Sequence, residues 1–313
     1  MKIWSLLPLL LAPSLQAASP LKIDTGSEQG IYYQMAKEFC RLAHEQDEDM
    51  RCQPNATSGS LENLDRLARK KSDYAIVQSD WLYQASKGEG AFAGAPQPGL
   101  KSLFATHAEP FTLMIRADGD ITRLEQLKTA PIDLGLKGSG TRKTALALMA
   151  VVGSREQDLD LKSVGNVAEA LCDKRIDAVA LVIGHPNRMV LDAAKRCPIT
   201  FMAIEGAVRD QLIKGRPYYQ PSRIPARIYP GNTKPVPTFA IAATLVSRED
   251  VPEADVYRLT KAMLGQQIQF NEQTYGYANL FHRARNKTGA VLMAPQHAGA
   301  ARYFAELKTA GKL

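Results

Sequence analysis

The sequence contains none of the compact motifs that mark an enzyme. Its 313 residues hold no P-loop, no G-x-G-x-x-G dinucleotide fingerprint, no G-x-S-x-G nucleophile elbow and no H-E-x-x-H zinc motif. There is no C-x-x-C spacing with a histidine pair nearby, and the five histidines are scattered, so no metal and no cofactor is expected. Basic residues form no run beyond Arg69-Lys70-Lys71, which reads as a solvated helix end. The net charge of +7 therefore argues weakly for an anionic ligand and not for nucleic acid. Internal repeats and low-complexity segments are also missing. After the first 18 residues no stretch reaches the roughly 20 apolar residues a transmembrane helix needs.

The N-terminus is different. Lys2 precedes an apolar run from Ile3 to Ala12, and Pro13-Ser14-Leu15-Gln16-Ala17-Ala18 follows. This pattern predicts a secretory signal peptide over residues 1–18, cleaved after Ala17 or Ala18, with no cysteine at the cleavage point to carry a lipid anchor. The mature chain is then an exported, periplasmic protein whose charge is +6 once Lys2 has left. At 45% hydrophobic and 23% charged residues it has the balance of a soluble globular chain, long enough for two domains. Its four cysteines read as two disulfides in that compartment. Local pairing of Cys40 with Cys52 and Cys172 with Cys197 is the first of three connectivities, and buried free thiols are the alternative.

Three small-residue turns dominate what is present: Gly26-Ser27-Glu28-Gln29-Gly30, Ser58-Gly59-Ser60 and Gly138-Ser139-Gly140-Thr141. Each stands where a strand should end and a helix begin. The strands are Leu21 to Thr25, Cys52 to Thr57 and Ile132 to Leu136; the helices are Ile31 to His44, Leu61 to Arg69 and Lys143 to Val152. Helix starts present unpaired N–H groups and favour negative charge, so several together suggest a cleft for a small anion. Further strands are expected at Asp73 to Gln78, Phe111 to Arg116, Asp177 to Ile183 and Thr238 to Val246. A short helix is expected at Val167 to Leu171 and Pro-rich loops between Pro217 and Pro237. From Pro252 the chain reads as helix, with Tyr257, Leu259, Leu264 and Ile268 on its buried face. Repeated strand–helix units predict a mostly parallel sheet with its ligand beyond the strands' carboxyl ends. Two strands bracketing the middle of the chain predict two lobes. The first is residues 19–112 and 245–313, the second 113–244, and the hinge strands lie near 111–117 and 238–246.

Individual residues carry two readings each. A glycine turn either presents N–H groups to a ligand or serves only chain reversal. Ser60 is either a helix cap or a ligand contact, and Asn63 either a solvated helix residue or a second donor. Tyr32 and Tyr33 open a helix, where core packing explains one ring better than both. Asp80, after Gln78-Ser79, either caps its helix or pairs with a ligand amine. Arg142 sits at a helix start, the wrong end for a cation unless something negative faces it, which makes it a candidate partner for a ligand carboxylate. His185 and His297 read as loop histidines.

These residues, with Asn63-Leu64, Asp177-Ala178, Gly184-His185-Pro186 and a terminal Pro295-Gln296-His297-Ala298-Gly299-Ala300 before Tyr303, resemble the TAXI solute-binding proteins. Those are extracytoplasmic subunits of one class of TRAP transporters. The resemblance spans nearly the whole mature chain in motif order. It implies a two-lobed α/β type II periplasmic binding fold that closes on small carboxylates such as glutamate, glutamine or 2-oxoglutarate and delivers them to sodium-driven TRAP membrane subunits. The implied contacts are Gly30, Tyr32, Tyr33, Ser60, Asn63, Gln78, Ser79, Ser139, Gly140 and Thr141, with Pro186 shaping the pocket floor. Gln296, Ala298 and Ser58 depart from the family pattern, and Ser58 bears on ligand choice. The resulting expectation is a monomeric, non-enzymatic binding protein. A receptor subunit presenting the ligand to a sensor kinase is the alternative, and an exported hydrolase or transferase is a more remote one.

Overall fold

The computed structural model describes residues 20–28, 30–265 and 291–312. The expected signal peptide and Ile268 lie outside them. The strands are β1 (Leu21–Asp24), β2 (Cys52–Asn55), β3 (Tyr74–Gln78), β4 (Leu100–Arg116), β5 (Ile132–Asp133), β6 (Ala178–Val182), β7 (Ile199–Phe201), β8 (Gln220–Ile224) and β9 (Val236–Arg248). The α-helices are α1 (Ile31–Gln46), α2 (Ser60–Ala68), α3 (Ser79–Lys87), α4 (Gly140–Val151), α5 (Val167–Cys172), α6 (Arg188–Arg196), α7 (Gly206–Ile213), α8 (Glu253–Gly265) and α9 (Ala298–Thr309). The strands pair in the order β2-β1-β3-β9-β4-β6-β5, with β7 against β4 and β8 against β9.

The sheet is mixed, not mostly parallel. β1 runs parallel to β2 and β3, and β5 to β6, as the strand–helix units require. β9, however, is antiparallel to β3, β4 and β8, and β4 is antiparallel to β6 and β7. These two long strands stand outside the strand–helix repeat. β4 begins at Leu100, well before the expected Phe111, and the Pro-rich segment holds β8. β4 pairs with β9 from Leu100 to Pro110 and with β6 from Phe111 to Ile115, so it passes from one group of strands to the other at Pro110–Phe111.

Each group is covered by helices on both faces, so its central strands are buried throughout. Successive residues of β3 point to opposite faces. Tyr74 and Ile76 join Phe39 of α1 with Val256 and Leu259 of α8, while Ala75 and Val77 meet Leu64 of α2 and Leu82 of α3. β6 does the same in the second group. Ala178 and Ala180 face Leu148 of α4, and Val179 and Leu181 face Leu171 of α5 and Val190 of α6. In α8 Leu259 is buried, whereas Tyr257 and Leu264 are half-buried.

Both disulfides are the local ones. Cys40 ties α1 to Cys52 of β2 with Cα atoms 5.2 Å apart, and Cys172 ties α5 to Cys197 at the end of α6 at 5.6 Å. The terminal motif is architectural. His297 caps α9 by accepting from the Gly299 N–H (3.2 Å), and a Cβ on Gly299 would lie 2.3 Å from the Glu253 carbonyl of α8. Gln296 donates to the Leu103 carbonyl (3.1 Å), which gives this departure from the family pattern a structural task.

Candidate ligand-binding cleft

A cleft of about 1520 Å³ lies between the two groups of strands, lined by all three small-residue turns. Gly26, Ser27 and Gly30 come from the first, Ser58 to Leu61 from the second and Gly138 to Thr141 from the third. α1 and α2 therefore begin at the cleft, and neither has a side chain capping its start. Gly59 has φ +114°, a backbone conformation that favours glycine. Ser58 donates both its backbone N–H and its hydroxyl to Glu62 Oε2 (2.8 Å each), holding that carboxyl below its usual pKa. Its hydroxyl is thereby committed to the turn. In the third turn Ser139 Oγ accepts the Arg142 N–H (3.2 Å) and caps α4, while Thr141 lines the cleft.

The floor is polar. Ser60 Oγ accepts the Gln78 N–H (3.0 Å), fixing α2 against the end of β3. The Gln78 side chain reaches across to the start of α4, where a Cβ on Gly140 would sit 1.7 Å from its Oε1. A side chain at Gly140 would therefore displace the Gln78 amide from its present position. From β4, Glu109 presents a carboxylate only 4% exposed. Its Oε2 accepts from Tyr32 Oη (2.9 Å) and from Gln78 Nε2 (3.4 Å), and its Oε1 lies 3.4 Å from His107 Nε2. The Tyr32 ring stands edge-on to His107 with centroids 5.9 Å apart. Burial, reinforced by Glu109, pushes the Tyr32 phenol well above its usual pKa, so it remains a donor. At the mouth stand Leu61, Leu136 and Met189, the exposed large hydrophobic residues among those described.

The sequence profile described as the NMT1-like family matches residues 23–307. The chain belongs to the NMT1-like family. Among solved structures, a protein of Bordetella bronchiseptica RB50 superposes with a TM-score of 0.50 at 14% identity, covering 92% of this chain and 89% of that one. The periplasmic aliphatic sulphonate binding protein SsuA of Escherichia coli gives 0.48 at 11%, covering 92% and 84%. The alkanesulfonate-binding protein SsuA of Xanthomonas axonopodis pv. citri, bound to MOPS, gives 0.47 at 13%, covering 92% and 85%. These likenesses concern the fold, two α/β lobes about a cleft.

In this NMT1-like protein the cleft brings together Gly30, Tyr32, Ser60, Gln78, Ser139, Gly140 and Thr141. Tyr33 is half-buried and does not line it. Asn63 is fully buried with its amide in use: Nδ2 donates to the Thr25 (2.6 Å) and Ile76 (2.9 Å) carbonyls, and Oδ1 accepts from Thr57 Oγ1 (2.6 Å). Ser79 Oγ accepts from the Ala242 N–H (3.1 Å) and donates to the Tyr218 carbonyl (3.3 Å). Arg142 turns to Glu156, with Nε at 3.0 Å and Nη2 at 2.6 Å, so the negative group facing it belongs to the chain itself. Pro186 follows a cis peptide bond and lies between the lining residues Ile183 and Asn187 without lining the cleft. Its neighbour His185 is held in a chain of hydrogen bonds, Nδ1 to Tyr229 Oη (2.6 Å) and Nε2 to Thr112 Oγ1 (2.7 Å), and burial lowers its pKa to about 4.

Asp80 is sealed behind the floor. Its Oδ1 accepts the Trp81 N–H (2.8 Å), and Oδ2 pairs with Lys143 Nζ of α4 (2.9 Å), which also stands 3.8 Å from the centre of the Trp81 ring. The sequence reading left Asp80 open between helix cap and ligand amine. In the structure it lies inside the first turn of α3, where it takes up the next residue's N–H, and its amine partner is a lysine of the same chain. Glu109 and His107 escaped that reading altogether. The available signal was a glutamate in His107-Ala108-Glu109-Pro110, immediately ahead of a strongly apolar strand. Among the described residues no three His, Cys, Asp or Glu side chains are placed to hold a metal.

Proposed function

We propose that this NMT1-like protein captures a small carboxylate in the periplasm and hands it to a membrane transport complex. An acidic amino acid, glutamine or 2-oxoglutarate is the size of solute intended, and the resemblance to TAXI proteins points to sodium-driven TRAP subunits as the partner. The observation that supports the reading is the convergence of three helix starts on one cleft, two of them without a side-chain cap. Backbone N–H groups so arranged attract a carboxylate without needing an arginine. The proposed contacts are Gly30, Tyr32, Ser60, Gln78, Ser139, Gly140 and Thr141. The lobes close by bending where β4 and β9 cross between them, near Pro110–Phe111 and Ala240, with the first lobe at 19–112 and 245–313 and the second at 113–244. Export through the N-terminal signal and action as a monomer complete the proposal.

Thr141 provides the direct test, because Ser139 rather than Thr141 caps the helix. Thr141→Ala is expected to weaken carboxylate binding roughly tenfold, about 1.4 kcal/mol, while the unliganded melting temperature stays within a degree or so. Calorimetric titration against C4 and C5 dicarboxylates, acidic amino acids and their amides reads the first quantity. Unchanged affinity for a solute the wild type binds would remove Thr141 from the site, and no binding of any of these solutes by ligand-free protein would sink the carboxylate reading.

A further inference from the structure

We infer that the Glu109 carboxylate is a subsite for the protonated amine of the solute, so that the captured molecule is an α-amino acid rather than an oxo acid or a plain dicarboxylate. The inference rests on the carboxylate reading of the cleft and names the solute class within it.

Glu109 is buried and faces the cleft, and no lysine or arginine of the described residues contacts it. Its two hydrogen bonds, from Tyr32 and Gln78, both go to Oε2. Among the described residues the polar group recorded beside Oε1 is His107 Nε2, at 3.4 Å. His107 Nδ1 is 3.1 Å from Thr106 Oγ1, and that hydroxyl donates to the Ala243 carbonyl (3.2 Å). Thr106 therefore accepts at its oxygen from Nδ1–H, and in the proposed subsite His107 Nε2 serves as an acceptor. Consistent with this, His107 Nε2 has no hydrogen-bond partner.

Gln78 adds a second acceptor. Its Nε2 is directed to Glu109, so its Oε1 points the other way, toward Gly140, and that oxygen is buried without a partner. Gln78 itself is 7% exposed and lines the cleft. The floor thus offers Glu109 Oε1, Gln78 Oε1 and His107 Nε2, three acceptors with one negative charge among them. A buried carboxylate lacking a cation is costly, and unpaired buried acceptors add to the cost. An ammonium group has three donors and one positive charge, which matches this set. A single carboxylate is too poor a cage for a metal ion. The width of one amide, that of Gln78, separates Glu109 from the start of α4. A molecule with its amine on Glu109 and its carboxylate on that helix start carries the two groups close together, as an α-amino acid does.

Other charged or titratable groups near Glu109 are Tyr32, which stays neutral, and Asp80, which is paired with Lys143. The competing arrangement is a protonated His107 neutralising Glu109, which would make the pair structural.

Matched amino and oxo acids separate the two. Calorimetric titration of the ligand-free protein with L-glutamate against 2-oxoglutarate, and with L-alanine against pyruvate, should show at least one amino acid binding roughly 30-fold or more tightly than its oxo partner. Glu109→Gln should collapse that ratio toward one by weakening the amino acid alone. Equal or tighter binding of the oxo acids by the wild type would overturn the inference while leaving the carboxylate reading intact. Equal weakening of both members of a pair in Glu109→Gln would do the same. No binding of either kind overturns both. The wild-type ratio decides the matter even where the variant fails to fold.

Discussion

Two buried carboxylates flank Gln78, Asp80 two residues on in sequence and Glu109 across the floor of the cleft, and they have opposite fates. Asp80, fully buried, meets Lys143 at 2.9 Å and the Trp81 N–H at 2.8 Å. Burial pushes the Asp80 carboxyl up and the Lys143 ammonium down in pKa, and each partner opposes the other's shift. Glu109, almost as deeply buried, accepts from the neutral donors Tyr32 and Gln78 and lies 3.4 Å from His107 Nε2, with no lysine or arginine of the described residues against it. A charge completed inside the chain is architecture, here a tie between α3 and α4 from opposite walls of the cleft. A charge left incomplete at the cleft is available to a solute. The same logic bears on the hydroxyls of the third turn, where Ser139 Oγ accepts the capping Arg142 N–H and Thr141 takes no part in the cap.

The comparison is broken most forcefully at Lys143. Lys143→Ala should cost about 3–5 kcal/mol in stability by urea unfolding, since it strands Asp80, whereas Asp80→Asn with Lys143→Met should fall within about 1 kcal/mol of the wild type. A mild effect of the single change would mean that Asp80 is as tolerant of isolation as Glu109.

His185 sharpens it with a buried group completed by neutral partners only. Its folded pKa of about 4 lies below the unfolded value of 6.5, so protonation favours unfolding. Its contribution is full above pH 6.5 and is lost as the pH falls toward 4, the loss reaching about 2 kcal/mol at pH 5. His185→Gln should flatten the fall in stability between pH 6.5 and 5 by that amount, and an unchanged slope would place the titration elsewhere. The smallest effect is at Ser139, where Ala should remove a cap worth about 1 kcal/mol of thermal stability, in contrast with Thr141.

The strand–turn–helix units were legible because their signals are local: glycine turns, apolar periodicity in α1 and α2, and the cysteine spacing. Each of the three turns does open on the cleft. What was not legible depends on partners distant in sequence. β4 was read only from Phe111 because His107 and Glu109 interrupt its apolar pattern, and a buried charge makes sense only once the cleft exists. β8 was hidden among prolines that a strand at the end of the pairing order tolerates. Asn63 and Ser79 looked like free polar groups at a helix start until the carbonyls of Thr25, Ile76 and Tyr218 folded onto them. Arg142 found its anion in Glu156, 14 residues ahead.

β4 and β9 run side by side through the crossing, with Glu109 opposite Ile241 and Pro110 opposite Ala240. Mechanically they form a ribbon two strands wide, which bends about its flat face more readily than it shears, because sliding would break the paired register. Glu109 belongs to this ribbon, whereas the three turns are carried on the bodies at its ends. Under the proposed closure the amine would be held near the axis, where displacement is least. The carboxylate would be met by parts with the longest travel, so one end of the solute anchors while the other is clasped.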